Sequence, residues 1–266
     1  MLVRSWNVFH GNAVPPERRA FLEQMVRLAA DDGPDVLCLQ ELPVWSLGRL
    51  EAWSGMRAAV EVAARPRLGP LRASAELGRL LTDVHHGVLR SALTGQANAI
   101  LVAPQLSVVA RGRIVLNARR FRAAQARSLV LGAAARRAWA RERRVCLGVR
   151  LDLGGRPAVV ATLHATSYAA DPRLADAEVL RAAAFVEAFA RPGEPCILAG
   201  DFNVRSGSSR ALDELAARGF SGGGHGVDHI LVRGAETGPV ERWPDERRRA
   251  GGRLLSDHAP LEATIA

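Results

Sequence analysis

Asn7, Glu41, His164, Asp201, Asn203, Asp228, Asp257 and His258 share a feature of placement: each stands at or just beyond an end of a short apolar run. Asn7 ends the strand-like part of LVRSWNVF, Glu41 follows VLCLQ, and His164 closes PAVVATLH. Asp201 and Asn203 follow CILAG, Asp228 stands at the opening of VDHILV, and Asp257-His258 precede PLEATI. Amides, carboxylates and imidazoles are the side chains that move protons and hold hard cations. One carboxylate after a strand is ordinarily a cap or turn residue. Six strand ends each delivering such a group are harder to read that way, because α/β proteins place catalytic groups on the loops at strand ends.

The elements that must position these groups are legible as alternating apolar and amphipathic stretches. Runs at 2–9, 35–40, 97–103, 144–153, 157–164, 195–200, 227–232 and 260–265 are rich in Val, Leu and Ile and bounded by Gly, Pro or Asp, as strands are. Glu17–Ala30 places Phe21, Leu22, Met25, Val26 and Ala29 on one helical face after a Pro-Pro start. Arg173–Ala190 does the same with Leu174, Ala177, Leu180, Ala184 and Phe189 after Asp171-Pro172. The mixture predicts an α/β fold. Residues 46–95 are expected to form helices or a long excursion, and 119–144 a helix or surface loop. Arg242–Arg253 and the stretch around Gly222–Gly226, which carries His225, are expected to be loops. No internal repeat or linker is visible, so a single domain over 1–266 is the simplest organisation.

Composition bounds the function more loosely. Apolar residues make up 48% and charged residues 24% of the 266, enough for a large core and too ordered a mixture for a disordered chain. No apolar stretch reaches the roughly 18 residues of a membrane span. The start lacks the apolar segment of a secretory signal, which makes the cytoplasm the expected location. Cys38, Cys146 and Cys196 are far apart and flanked by apolar residues, so they are expected to be reduced core thiols. The net charge is +9, and every basic residue is Arg. Arginine favours bidentate phosphate contacts, although complete replacement of Lys also has the look of a genome-wide bias. His85-His86 has no spaced carboxylate or third ligand, so zinc is not expected there. His229 is expected to be structural, and Asn98 at most to support other groups.

SWNV around Asn7, LCLQE ending in Glu41, ATLHATS around His164, LAGDFNV, VDHIL and SDHAPL together resemble the endonuclease/exonuclease/phosphatase superfamily, in order and over residues 6–260. The resemblance implies a DNase I-like, four-layer α/β/β/α sandwich: two mixed β-sheets face to face, flanked by helices. It implies hydrolysis of a phosphate ester with a divalent metal, Mg²⁺ with Mn²⁺ as a substitute. A phosphodiester repels an attacking hydroxide, so its cleavage needs positive charge on the phosphate and a base for water. On this resemblance Glu41 is the principal metal ligand, with Asn7 and Asp257 as direct or water-bridged partners. Asp201 orients or deprotonates water, and Asn203, if the chain stays extended, projects to the same side. His258 and His164 donate to the phosphate, and Asp228 fixes the His258 tautomer.

Two departures narrow the branch. Abasic-site endonucleases usually carry Tyr at the His164 position and aromatic residues before the later Asp, whereas this chain has His164 and GGGHGV. DNase I-like nucleases usually back the first histidine with an acidic residue, and here the stretch before the strand at 97–103 is Ser91–Gln96, without a carboxylate. The partner of His164 is therefore open. The expected function is an intracellular nuclease, with nucleic acid as substrate and no obligate protein partner. The alternatives are a phosphomonoesterase or a phospholipid or inositol-phosphate phosphodiesterase on the same scaffold, and a non-catalytic nucleic-acid-binding relative.

Overall fold

The computed structural model describes residues 1–17, 19–68, 71, 72, 74, 77 and 94–266. Period-two alternation within its strands decides the layering. In Val36–Leu42, Leu37 and Leu39 pack with Trp6, Met25 and Val26, while Val36 and Cys38 face the opposite side. In Pro157–His164, Val159 and Ala161 pack with Val179 and Val186, while Val160 turns to the core that holds Val36 and Cys38. Successive side chains point to opposite faces, so a strand apolar at every position requires cover on both. Two sheets back to back, each with helices outside, satisfy that requirement.

The first sheet contains β1 (Leu2–Asn7), β2 (Val36–Leu42), β3 (Arg57–Ala64) and β4 (Gln96–Val102). The second contains β5 (Ser107–Val115), β6 (Val145–Asp152), β7 (Pro157–His164), β8 (Cys196–Asp201), β9 (Ser221–His225) and β10 (Asp228–Arg233). Two late strands, β11 (Glu241–Arg242) and β12 (Leu261–Thr264), return to the first sheet. The orders are β11-β12-β1-β2-β4-β3 and β9-β10-β8-β7-β6-β5. Helices α1 (Leu22–Ala30) and α2 (Leu50–Ser54) cover the first sheet. Helices α3 (Arg119–Ser128) and α4 (Ala133–Arg141) follow β5, and α5 (Arg173–Phe189) and α6 (Arg210–Ala217) cover the second sheet.

The strand pairings put the chemistry on one rim. β1 runs parallel to β2, pairing Asn7 with Gln40, and β7 runs parallel to β8, pairing His164 with Asp201. β10 is antiparallel to β8, so its first residue, Asp228, lies opposite Asp201. β12 is antiparallel to β1, which brings the preceding Asp257-His258 to the same end.

Several expectations need revision. Helix α1 begins at Leu22 and not at Glu17. The stretch after residue 46 contains α2 and then the edge strand β3, and Ser107–Val115 forms a second edge strand. Both edges have arginines and small residues on a half-exposed face, which masks the apolar alternation. Arg242–Arg253 contains short bridging strands and a 3-10 turn, with Arg248 buried. Gly222–Gly224 belong to strand β9, and a Cβ at Gly224 would lie 2.2 Å from His229 Nδ1. Gly224 admits the neighbouring imidazole. All three cysteines are buried and unbridged.

Candidate active site

Seven non-glycine residues have positive φ among the described residues, and five of them, Phe9, His10, Glu41, Asn203 and Ser256, lie on this rim. Left-handed backbone is costly for residues with a Cβ, and persists where the surroundings over-determine it. Glu41 is held this way inside β2, where the register with β4 slips between Leu39 and Leu42. The bulge re-aims its carboxylate towards the pocket.

One side of the pocket is built around His258. Its Nδ1 lies 2.7 Å from Asp228 Oδ2, and its Nε2 lies 3.9 Å from Asp201 Oδ2. Burial works against the imidazolium, but the hydrogen bond and charge of Asp228, then Asp201 and Asp257, outweigh it and lift the pKa to about 9. The backbone here is clamped. Trp6 Nε1 donates to the His258 carbonyl at 2.9 Å, and Arg248 donates to the carbonyls of Leu255, Ser256 and His258. Ser256 Oγ donates to the Asn7 carbonyl and accepts from the His258 amide.

The other side is built around His164, and its partners are of the opposite kind. Gln96 Nε2 lies 2.7 Å and Arg144 Nη1 3.1 Å from His164 Nδ1. A guanidinium has no acceptor, so Nδ1 must present its lone pair and the ring proton sits on Nε2. Burial, with the charges of Arg144, His258 and His10, holds the His164 pKa well below its ordinary value. His164 is a neutral N–H donor. Its Nε2 faces the pocket, 3.5 Å from Asp201 Oδ2 and 3.7 Å from Glu41 Oε1.

Between the histidines lie the carboxylates. Asp201 accepts from Asn7 Nδ2 at 3.0 Å and, through Oδ1, from the Asn203 amide. Burial and the charges of Asp228 and Glu41 raise its pKa against the pull of His258 and Asn7. Burial also raises Glu41, with Asn7, Arg144 and His258 opposing and Asp257 adding to the rise. Glu41 Oε2 is 3.4 Å from His10 Nε2.

The structure therefore brings all eight sequence-derived residues to one rim, with two differences of detail. β8 ends at Asp201, and Asn203 is left-handed and not extended, its Nδ2 donating to the Ala165 carbonyl. It ties the two parallel-strand loops together. Asn7 turns its NH₂ to Asp201 and its carbonyl oxygen to the Phe9 amide. His229 Nε2 meets the Val204 carbonyl, and among the described residues the ring has no hydrogen bond to the pocket groups. Asn98 Nδ2 donates to the Val145 carbonyl, and His225 is exposed on β9 opposite Asp228. His85 and His86, and residues 91–93 of the stretch before β4, lie outside the described residues. His10, Gln96, Arg144 and Arg248 join the site without belonging to any of its sequence motifs. His10 sits three residues after Asn7, which is the one local signal; the others arrive from distant parts of the chain.

Across residues 5–258 the sequence matches the family model described as Endonuclease/Exonuclease/phosphatase family. The chain belongs to this family. Members of the endonuclease/exonuclease/phosphatase family are hydrolases of phosphoric esters and are generally dependent on a divalent metal. The fold is similar to that of the human Nocturnin catalytic domain with bound sulfate anion, at TM-score 0.68 and 15% identity over 100% of this chain and 93% of that one. A mannosyl-6-phosphatase from Bacteroides thetaiotaomicron aligns at TM-score 0.60 and 16% identity, covering 100% and 99%. A functionally unknown conserved protein from Enterococcus faecalis V583 aligns at TM-score 0.66 and 18% identity, covering 100% and 99%. No curated protein matches the chain in sequence.

The donor set suits the divalent metal on which this family generally relies. Glu41 and Asp201 are carboxylates pressed towards their neutral forms by burial and by neighbouring carboxylates, Asp257 for Glu41 and Asp228 with Glu41 for Asp201, and a cation is the charge such a cluster lacks. Asp201, Asp228 and His258 also place possible ligand atoms within 4.8 Å of one another, although the Asp228–His258 hydrogen bond already occupies that pair. Such hard oxygen donors suit a hard divalent cation. No helix among the described residues is long and apolar enough to cross a membrane.

Proposed function

We propose that this protein is a metal-dependent phosphodiesterase, a nuclease of the cytoplasm, with residues 1–266 acting as one catalytic unit. The observation that carries the reading is the pair of unlike histidines flanking Asp201: His258 held as an imidazolium by Asp228, and His164 held as a neutral donor by Arg144. A phosphoryl group placed between them receives hydrogen bonds from both Nε2 atoms. Those bonds strengthen as negative charge gathers on its oxygens in the transition state. Asp201 faces the same space with a raised pKa, which suits a carboxylate that accepts a proton from water at neutral pH. Asn7 keeps Asp201 oriented, and Asn203 holds its loop. Glu41, with Asp257 and Asn7 beside it, would hold Mg²⁺ or Mn²⁺. Such an ion supplies positive charge to the phosphate and acidity to water.

The excess of arginine over acidic residues favours nucleic acid over a small phosphate ester. The test is a panel of duplex DNA, single-stranded DNA, RNA and inositol phosphates, each with Mg²⁺, Mn²⁺ or EDTA. Metal-dependent cleavage of a nucleic acid supports the reading. Release of inorganic phosphate without nucleic-acid cleavage replaces it with a phosphomonoesterase. Salt-sensitive binding without hydrolysis of any substrate in either metal replaces it with a binding protein.

A further inference from the structure

Beside the His164 wall lies a groove of about 1180 Å³ between the edge strand β3 and the end of α4, with residues 166–168 forming its third side. It shares the catalytic rim. Ala64, on its β3 lip, pairs with Gln96, whose side chain reaches His164. Thr166 follows His164 by two residues and is fixed by Glu178, which accepts from both its amide and its hydroxyl. Arg144 belongs to both places, touching His164 Nδ1 and lining the groove.

The charge of this groove is one-sided. Its walls carry five arginines, Arg65, Arg113, Arg141, Arg143 and Arg144, against two glutamates. Glu61 is shared by Arg113 and Arg143, and Glu142 pairs with Arg144. Arg65 and Arg141 have no acidic partner among the described residues. Arg144 is only 6% exposed, and its Nε finds no hydrogen-bond partner. A buried, incompletely satisfied guanidinium is costly unless an anion completes it. Guanidinium forks match phosphate oxygens bidentately. Tyr168, the sole tyrosine, offers a half-buried ring at the same wall.

We propose that this groove binds a second phosphate of the substrate, covalently linked to the phosphoryl group that is cleaved, so that preferred substrates carry at least two phosphates. The position of the scissile group rests on the phosphodiesterase reading above; the groove itself rests on its arginines.

The experiment compares kcat/KM for bis(p-nitrophenyl) phosphate, which has one phosphate, with that for a short oligodeoxynucleotide and for an inositol polyphosphate. The double variant Arg65→Gln/Arg141→Gln is expected to lower the ratio of polyphosphate to monophosphate kcat/KM by about tenfold, through KM. The charge-matched double variant Arg156→Gln/Arg191→Gln, at exposed positions before the strands β7 and β8, leaves the ratio in place. A ratio that falls for the oligonucleotide identifies a nucleic-acid strand as the source of the second phosphate; one that falls only for the inositol compound identifies a small polyphosphate. A second arm measures fluorescence anisotropy of a labelled oligothymidylate in EDTA. The salt dependence of its binding should lose about 0.7 from the log–log slope for each phosphate contact removed. Weakened binding in the double variant, with no turnover of any diester by the parent protein, keeps the groove and overturns the hydrolytic reading. Turnover of all three substrates with an unmoved ratio, or an equal fall in Arg156→Gln/Arg191→Gln, overturns the groove.

Discussion

The two walls of the pocket hold the same side chain in opposite states. At His258 the neighbour is an acceptor, Asp228, which claims the Nδ1 proton and favours the charged ring. At His164 the neighbours are donors, Arg144 and Gln96, which claim the Nδ1 lone pair and exclude the charged ring. Both direct an Nε2–H at the space beside Asp201. Residue type alone therefore does not state a histidine's chemical role; the atom bonded to its far nitrogen does. A pocket with one charged and one neutral donor binds an anion without placing two imidazolium ions beside each other.

The largest effect should come from the charged wall. Asp201→Ala and His258→Ala should each lower phosphodiesterase turnover by roughly 10²–10⁴-fold while the protein still folds, as measured by steady-state kinetics and circular dichroism. Removing the metal with EDTA should abolish turnover in the parent protein, with Mn²⁺ or Mg²⁺ restoring it. Unchanged turnover in both variants would remove the mechanism.

The neutral wall should respond differently. His164→Ala should cost about 10²-fold, the usual loss for one donor to a developing oxyanion. His164→Gln, which keeps an N–H donor and carries no charge, should recover part of that loss, whereas His258→Gln should not rescue His258→Ala. Equal recovery on both sides would erase the distinction between the walls.

A smaller change sharpens the cause. Arg144→Met removes the obligatory donor at Nδ1, and the ¹⁵N signature of the His164 ring should then move away from a fixed Nε2–H tautomer. An unmoved signature would show that Gln96 is sufficient, or that the ring is set by packing.

The smallest effect is on stability. His258 and Asp201 both bind protons more tightly in the folded metal-free protein than in the unfolded chain. A raised folded pKa gives stability that is complete below the unfolded pKa and lost as pH rises through the folded one. Asp201 contributes its loss upward from the ordinary carboxylate range, and His258 between the ordinary histidine value and about 9. Thermal unfolding in EDTA should therefore show a melting temperature that falls by several degrees between pH 6.5 and 9. His258→Gln should flatten that segment; a curve identical to the parent's would contradict the assignment.

Much of this molecule is written locally. PAVVATLH forms β7 over the same residues that its apolar run marks, and the remaining core strands fall within a residue or two of their runs. Helix α5 spans Arg173–Phe189, within a residue of its expected bounds, but its face is rotated: Ala175, Val179, Ala182, Ala183 and Val186 are buried, while Ala184, expected on the core side with Ala177, Leu180 and Phe189, is exposed. The edge strands β3 and β5 were hidden because an edge has one half-covered face and carries arginines such as Arg57 and Arg113. The left turn at Asn203 was hidden too, since an extended continuation of LAGDFN is equally compatible with its residue types.

The sequence by itself determined which strands end in chemistry, because burial on both faces demands continuous apolar runs and leaves polar residues only where a run stops. Tertiary structure decided what each of those groups is. The His164 ring takes its state from Gln96, 68 residues away, and Arg144, 20 residues away, and the His258 ring from Asp228, 30 residues away. Protonation and tautomer are settled by Coulomb and hydrogen-bonding terms over a few ångströms, and chain separation carries no information about those distances until the sheets have closed.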